Sequence, residues 1–175
     1  RIREGLELVE RGDLEGGRML FEEVLDAGPS GIIASEARAG LQRIQRRKQA
    51  SLQERAETLR NRFTDLVRQA GEHGAVEEIE RLALALRNLD EASTILETID
   101  ALDIPGWDVM IRDGKVRIAS LEESVNGRLQ KVLAAKGFEE WRSPTADLAK
   151  AEDWLLRAAE LREDPVLAGR VDRTL

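Results

Sequence analysis

The sequence predicts a mainly α-helical protein with one small β element in its C-terminal half. Ala, Leu, Glu and Arg, which favour helix, are abundant, and apolar residues recur every three or four positions over most of the chain. The β element is predicted from Asp113 and Gly114, which stand between two short runs of alternating apolar residues. Hydrophobic residues make up 42% of the 175 residues, so the chain can form a packed core.

Residues 1–30 are predicted to form a helix–turn–helix unit. Apolar residues at helical spacing indicate a first helix over residues 2–10, and a turn at 11–13 separates it from a second helix that runs to about residue 27. Gly28 and Pro29 are typical of a helix end, because glycine adopts the left-handed cap and proline prevents continuation. Ser30 is suited to cap the next helix.

The second half of this unit resembles a tetratricopeptide (TPR) repeat. The resemblance rests on a turn glycine, a small residue five positions later, a large apolar residue after four more, a further small position and a closing proline. Those positions are Gly12, Gly17, Phe21, Val24 and Pro29. The resemblance implies a helical unit that binds other proteins, with a groove lined by the first helix.

Residues 31–102 are predicted to form a long antiparallel helical hairpin. An amphipathic stripe extends from about residue 31 to residue 70, and the sequence leaves open whether the helix is continuous through residues 45–49. A turn is predicted at residues 71–74 because two glycines bracket that segment. A heptad pattern from Ile79 to Leu96 follows, which suits pairing within the chain or with a second copy of it.

Residues 103–143 are predicted to contain a β-hairpin at 108–119, a helix at 121–136 and a short third strand at 137–142. With the helix before it, this order gives residues 90–142 a weaker resemblance to BON domains and to the ring-building domains of envelope and secretion assemblies. The resemblance is carried by Asp113 and Gly114 in the hairpin and by Gly137 and Phe138 before the last strand. It implies a structural role in such an assembly.

Residues 144–175 are predicted to be helical. Ser143 and Pro144 suit the start of a helix that continues to about residue 161, since proline is favoured at the first helical position. Asp164 and Pro165 are predicted to break that helix, and a final short helix follows.

The composition argues against catalysis, and we predict no enzyme. Cysteine is absent and His73 is the single histidine, which excludes thiolate chemistry and leaves no metal-ligand spacing. The glycines near Gly12 do not follow a strand and lack the Lys-Ser/Thr of a phosphate loop. Paired glutamates are interpreted as solvated helix faces. We therefore assign no catalytic, cofactor-binding or metal-binding residue.

The charge pattern favours proteins over nucleic acids as partners. The formal net charge is −7, and an acidic chain repels phosphate. One basic cluster, Arg43, Arg46, Arg47 and Lys48 with Arg38, is interpreted as the charged face of a long helix, and contact with an acidic protein or a lipid headgroup is the alternative. Its members with a predicted partner contact are Arg43, Arg46 and Arg47.

The tryptophans Trp107, Trp141 and Trp154 are predicted to form one small core. Trp154 is expected to be the most exposed of the three, because the apolar stripe of its helix is narrow. It is therefore a further candidate contact for a partner.

The expected function is a non-catalytic scaffold or adaptor that binds proteins through its TPR-like and coiled-coil-like helices. The residues expected to contact a partner in the first helix and the turn after it are Glu4, Glu7, Leu8 and Arg11. A second copy of the chain is a further candidate partner. The alternatives are a structural component of an envelope or secretion-type assembly and a helical regulatory region of a larger enzyme.

The sequence does not fix a compartment and favours the cytoplasm only slightly. It contains no run of 18 apolar residues, so membrane contact is expected only from segments outside these residues. Because it begins at Arg1 rather than at methionine, we interpret it as part of a longer or processed protein.

Overall fold

The structure, a computed structural model, describes residues 1–143, 145 and 147–160, and this part of the chain contains six α-helices and no strand. The mainly α class is thereby confirmed. The helices are α1 (Ile2–Glu10), α2 (Leu14–Asp26), α3 (Gly31–Gly74), α4 (Ile79–Asp100), α5 (Asp108–Arg142) and α6 (Leu148–Glu160).

The chain divides into two compact units, Arg1–Glu57 and Thr58–Leu175, whose boundary falls within the sequence of α3. Helix α3 is unbroken through residues 45–49, so the question of continuity that the sequence left open is answered. No proline or β-branched residue occurs over residues 45–57, and nothing there opposes the helical backbone.

In the first unit, α1, α2 and the beginning of α3 pack around Phe21. The turn between α1 and α2 uses Gly12 at a φ of 91°, and Asp13 caps α2 by accepting a 2.8 Å hydrogen bond from the Gly16 N–H. The Phe21 ring is completely buried, and the helices approach it where they carry glycine. A Cβ on Gly5 would lie 2.8 Å from Phe21 Cε1, and one on Gly40 would lie 2.5 Å from Phe21 Cζ.

Contacts at two levels of this unit give the direction of each helix. Phe21 meets Gly5 on one side and Gly40 on the other. Farther along, Gly17 meets Val9 and Ile44. Residue numbers fall along α2 while they rise along both neighbours, so α2 is antiparallel to α1 and to α3. Helices α1 and α3 consequently run in the same direction on either side of α2.

The second unit packs residues 58–74 of α3 with α4, α5 and α6. The heptad stripe of α4 supplies completely buried leucines to this core, so its pairing is within the chain. The two neighbouring helices approach α5 at its glycines: a Cβ on Gly114 would lie 2.8 Å from Leu96 Cδ1, and one on Gly137 would lie 2.7 Å from Leu155 Cγ. The buried members of α4 in the core are Leu82, Ala85, Leu89, Ala92, Ile95, Leu96 and Ile99.

The predicted β-hairpin at residues 108–119 is wrong, because these residues form the first third of α5. Ile111 and Ile118 are buried seven positions apart on one helical face, whereas Val116, which a strand would pair with them, is 66% exposed. The feature mistaken for a hairpin turn, Gly114, lies inside the helix. It is buried against Leu96 and Phe63, where a side chain has no room.

The third strand predicted at residues 137–142 is also wrong, since α5 continues to Arg142. The strand order that suggested a BON-like domain is therefore not seen in residues 90–142. Gly137 is explained by its close contact with Leu155 of α6. The predicted turn at residues 71–74 is likewise helical: α3 extends to Gly74, and the chain turns at residues 75–78.

Helix α6 begins later than the sequence suggested, at Leu148. At its start Asp147 Oδ1 accepts a 3.1 Å hydrogen bond from the Lys150 N–H, as a capping side chain does. The predicted role of Pro144, the break at Asp164 and Pro165 and the final short helix fall outside the described residues.

Two glycines of α3 allow a matched test of this packing. We expect Gly40→Ala to lower the free energy of unfolding by about 1–2 kcal/mol, because overpacking against the Phe21 ring outweighs the better helix propensity of alanine. Gly71→Ala, whose Cβ would meet nothing within 4 Å, should raise it by up to about 1 kcal/mol. Urea unfolding followed by circular dichroism measures both, and equal signs for the two variants would contradict the packing described.

The core of the second unit contains a polar side chain whose amide nitrogen has no hydrogen-bond partner. Gln130 is 6% exposed and its Nε2 has no hydrogen-bond partner in the structure. A buried, unsatisfied amide costs about 1–3 kcal/mol, so Gln130→Met, which keeps the length of the side chain, should stabilise the protein by about 1 kcal/mol. Gln130→Glu is the control and should destabilise it, since a buried carboxylate is costlier than an amide. Thermal unfolding that ranks the variants in the reverse order would contradict this account.

Candidate partner-binding groove

A groove of about 540 Å³ lies in the first unit between the parallel helices α1 and α3. Helix α1 contributes residues from its first two turns, and α3 contributes residues from its second to fourth turns. We call this feature the α1/α3 groove. Its lining residues are Ile2, Arg3, Leu6, Glu36, Ala39, Gly40 and Arg43.

The floor of the groove is apolar because small residues of α3 face aliphatic residues of α1. Ile2 and Leu6 are half-buried and pack on the core around Phe21 with their inner sides. Ala39 and Gly40 present almost no side chain, so the groove is open above them. On the core side of α3 the Phe21 ring packs against Gly40. The same contact that packs the unit therefore also keeps the groove shallow and unfilled.

The rim of the groove carries charge of both signs at different levels. Glu36 and Arg43 are seven residues apart on α3, which places them on one helical face and about 10 Å apart along the axis. Across from them, Arg3 forms a 3.4 Å ion pair with Glu7 of its own helix. Arg43 is solvent-exposed and forms no ion pair with any of the described residues.

The structure places the contacts predicted on α1 and its turn beside the groove rather than in it. Glu4 pairs with Arg1 at 3.5 Å and Glu7 pairs with Arg3. Leu8 is half-buried, and its carbonyl accepts the N–H of Asp13 in the turn. Arg11 is the exposed C-cap residue of α1. Of these four predicted contacts, Glu7 is the one that forms an ion pair with a lining residue, Arg3.

The basic cluster separates into residues with different surroundings. Arg43 lines the groove and Arg46 lies exposed one turn farther along α3. Arg47 donates a hydrogen bond from Nη1 to the carbonyl of Val9 in the last turn of α1. Lys48 lies 3.6 Å from Glu15 of α2. Arg47 and Lys48 thus bind the unit together, whereas Arg43 and Arg46 remain on its surface.

Trp154 lies in the second unit and has no part in the groove. It is half-buried against the core, and the cations of Lys136 and Arg157 each lie 5.7 Å from the centroid of its ring. Trp107 and Trp154 both pack against the core of the second unit, whereas Trp141 is not among the residues that pack against it. Trp107 is half-buried beside Arg60, and Trp141 is the most exposed of the three at 45%, contrary to the sequence prediction.

Sequence reasoning found Arg43 but missed the other lining residues, because it placed the groove on α1 and its turn alone. Ile2 and Leu6 were recognised as apolar helix positions but not as a surface. Glu36, Ala39 and Gly40 belong to α3, whose place beside α1 depends on tertiary packing. The available signal was the pair of small residues Ala39 and Gly40, which leaves α3 without a large side chain between its core face and its exposed face.

Helix α2 carries an ion-pair ladder on its outer side. Arg18 bridges Glu15 and Glu22, with 2.6 Å between Nη1 and Glu22 Oε1. The hydrogen bond from Arg18 lowers the pKa of the Glu15 carboxyl, and the two carboxylates raise the pKa of Arg18. In the second unit the hydrogen bond to Glu72 similarly raises the pKa of Arg68. None of the residues in these pairs belongs to the groove lining.

Among the described residues, no group of three or more histidine, cysteine or acidic side chains is arranged to hold a metal ion. His73 is in the last turn of α3, with Nδ1 3.3 Å from Arg81 Nη1. Within the part of the chain that the structure describes, no helix has the length and apolarity needed to cross a membrane.

Comparison of the chain with protein-family models, with curated proteins and with solved structures finds no match.

The contact of Arg47 with α1 gives a test of how the wall of the groove is held. We expect Arg47→Met to lower the free energy of unfolding by about 1 kcal/mol, because the last turn of α1 loses a charge-assisted hydrogen bond. Arg46→Met removes the same charge from the neighbouring position and should stay within about 0.5 kcal/mol of the unaltered protein. Urea unfolding that shows equal effects for both would contradict the assigned role of Arg47.

Proposed function

We propose that this protein is a non-catalytic scaffold or adaptor that binds a segment of another protein in the α1/α3 groove. The observation that carries the proposal is the groove itself, whose apolar floor lies between charged rims on two parallel helices. Apolar floors provide affinity and polar rims provide orientation in sites of this kind.

The alternation of helix direction in the first unit supports this proposal. Helices α1 and α3 are parallel, and the antiparallel α2 connects them in sequence and packs against both, which is the order expected when helix pairs are stacked as repeats. In the TPR resemblance the first helix of each pair lines the binding groove. By that order α1 and α3 occupy the first-helix positions of successive pairs, and they are the two helices that line the groove here.

The chemistry of the lining also supports binding rather than catalysis. Its side chains are aliphatic or belong to arginine and glutamate, and none is a hydroxyl, thiol or imidazole. Arginine and aliphatic residues beside small residues suit the capture of a peptide, because they supply charge and apolar contact area.

Blocking the groove at an exposed position tests the proposal. We expect Ala39→Arg to abolish the capture of a partner from the native lysate, because the long side chain fills the space above the floor. Ala50→Arg places the same side chain on an exposed position of α3 outside the lining and should leave capture unchanged. Captured proteins are identified by mass spectrometry, after circular dichroism has shown that both variants are folded.

Changes at Gly17 or Phe21 are unsuitable for blocking the groove, because both residues are buried in the core and their replacement is expected to destabilise the unit. Equal capture by the Ala39→Arg and Ala50→Arg variants would overturn the proposal. Loss of one specific partner with Ala39→Arg alone would support it.

A further inference from the structure

We propose that the segment bound in the α1/α3 groove is acidic at one end: an aliphatic side chain inserts above Ala39, and carboxylates beside it pair with Arg43 and Arg46. This inference rests on the proposed function and adds the chemistry and the direction of the partner. It follows from the charges that the groove leaves unpaired.

Two arginines of α3 lie at one end of the groove: Arg43 lines it, and Arg46 lies one turn beyond the lining. Taking 100° per residue, positions 39, 43 and 46 fall within a narrow sector of the helix. Ile32, which is 78% exposed, falls in the same sector, and Glu36 lies about 20° outside its edge. One face of α3 therefore presents, in order, an isoleucine, a glutamate, an alanine and two arginines.

The side chains of Arg43 and Arg46 do not take part in holding the described part of the first unit together. Both are exposed, and neither forms an ion pair or a hydrogen bond with any of the described residues. Their neighbours in sequence are engaged: Arg47 holds the Val9 carbonyl and Lys48 lies beside Glu15. In a chain with a formal net charge of −7, two unpaired guanidinium groups at one end of an apolar groove form a local site for carboxylates.

The apolar and the charged contact positions of α3 lie at a fixed spacing along the helix. Ala39 precedes Arg43 by four residues and Arg46 by seven, which corresponds to about 6–10 Å along the helix axis. An aliphatic side chain on the floor formed by Leu6 and Ala39 therefore has its carboxylate neighbours one to two helical turns away, or two to three residues away if the segment is extended.

The charges along α3 also set the direction in which a segment binds in the groove. Glu36 lies on the same face about 10 Å before Arg43, so a carboxylate placed at that end of the groove meets a like charge. A segment that carries acid at one end only is accepted with that end towards Arg46. The two ends of the groove thus differ in charge, and this difference selects one orientation of the partner.

Peptide selection on the full chain tests the inference directly, because a random library samples every combination of apolar and charged side chains. A displayed library of random 12-residue peptides is selected on the unaltered protein, on the Arg43→Glu/Arg46→Glu double variant and on an Arg38→Glu/Arg55→Glu control. The control changes the same number of charges on other faces of α3, where both arginines are also exposed. The best peptide is then labelled and its affinity is measured by fluorescence polarisation.

The expected peptides combine an aliphatic residue with a cluster of Asp or Glu on one side of it. Their affinity should fall about tenfold or more on the Arg43→Glu/Arg46→Glu variant and less than about twofold on the control, since each exposed pair contributes modestly and reversal also adds repulsion. Selection on the double variant should enrich Lys and Arg instead. Affinity for the acidic peptides should also decrease with added salt.

Three outcomes overturn the inference, and they are distinguishable. Peptides that require Ala39 but show no acidic bias, or that ignore the Arg43→Glu/Arg46→Glu change, leave the groove function in place and remove only its acidic partner. Peptides that bind equally to the Ala39→Arg variant, or no enriched peptide at all, overturn the proposed function as well. A dimer that Ala39→Arg dissociates in sedimentation would show that a second copy of the chain occupies the groove.

Discussion

The close approach of helices at glycine residues is the constraint on which the rest of this structure depends. In the first unit Gly5 and Gly40 lie against opposite sides of the Phe21 ring, so that three helices surround one aromatic side chain. A glycine within a helix lowers the stability of that helix by about 1 kcal/mol relative to alanine. The contacts made by the buried ring offset this cost and set the distance between the helices.

The second unit uses the same solution with aliphatic partners. Gly114 admits Leu96 of α4, and Gly137 admits Leu155 of α6, so that α5 is approached closely by both neighbours. Because the backbone of α5 replaces a side chain at these points, large leucines on the neighbours can be completely or almost completely buried. The packing of α5 therefore depends on its glycines, although glycine is a poor helix former.

The groove is a consequence of the packing in the first unit. Ala37 and Ile44 of α3 face the core, and the turns between them place Gly40 over Phe21 and Ala39 on the surface. A helix with small residues at this point leaves a gap beside its parallel neighbour α1, where a larger residue would close it. The charged residues of α3 beside the gap differ in sign. Glu36 lies at one end and Arg43 at the other, so the two ends of the groove differ in charge.

The sequence was enough to predict the helical class and the first two helices, because helix propensity and periodicity are local properties. It did not determine the state of residues 108–119: alternating valine and isoleucine around Asp113 and Gly114 suit a hairpin locally, and only the neighbours of Ile111, Gly114 and Ile118 favour a helix. The groove also could not be predicted from the sequence, because its lining residues on α1 and α3 become neighbours only when both helices pack against α2. Tertiary structure decided both, because burial of Ile111 and Ile118 in one core outweighs local strand preference, and because a surface shared by two helices exists only after they pack.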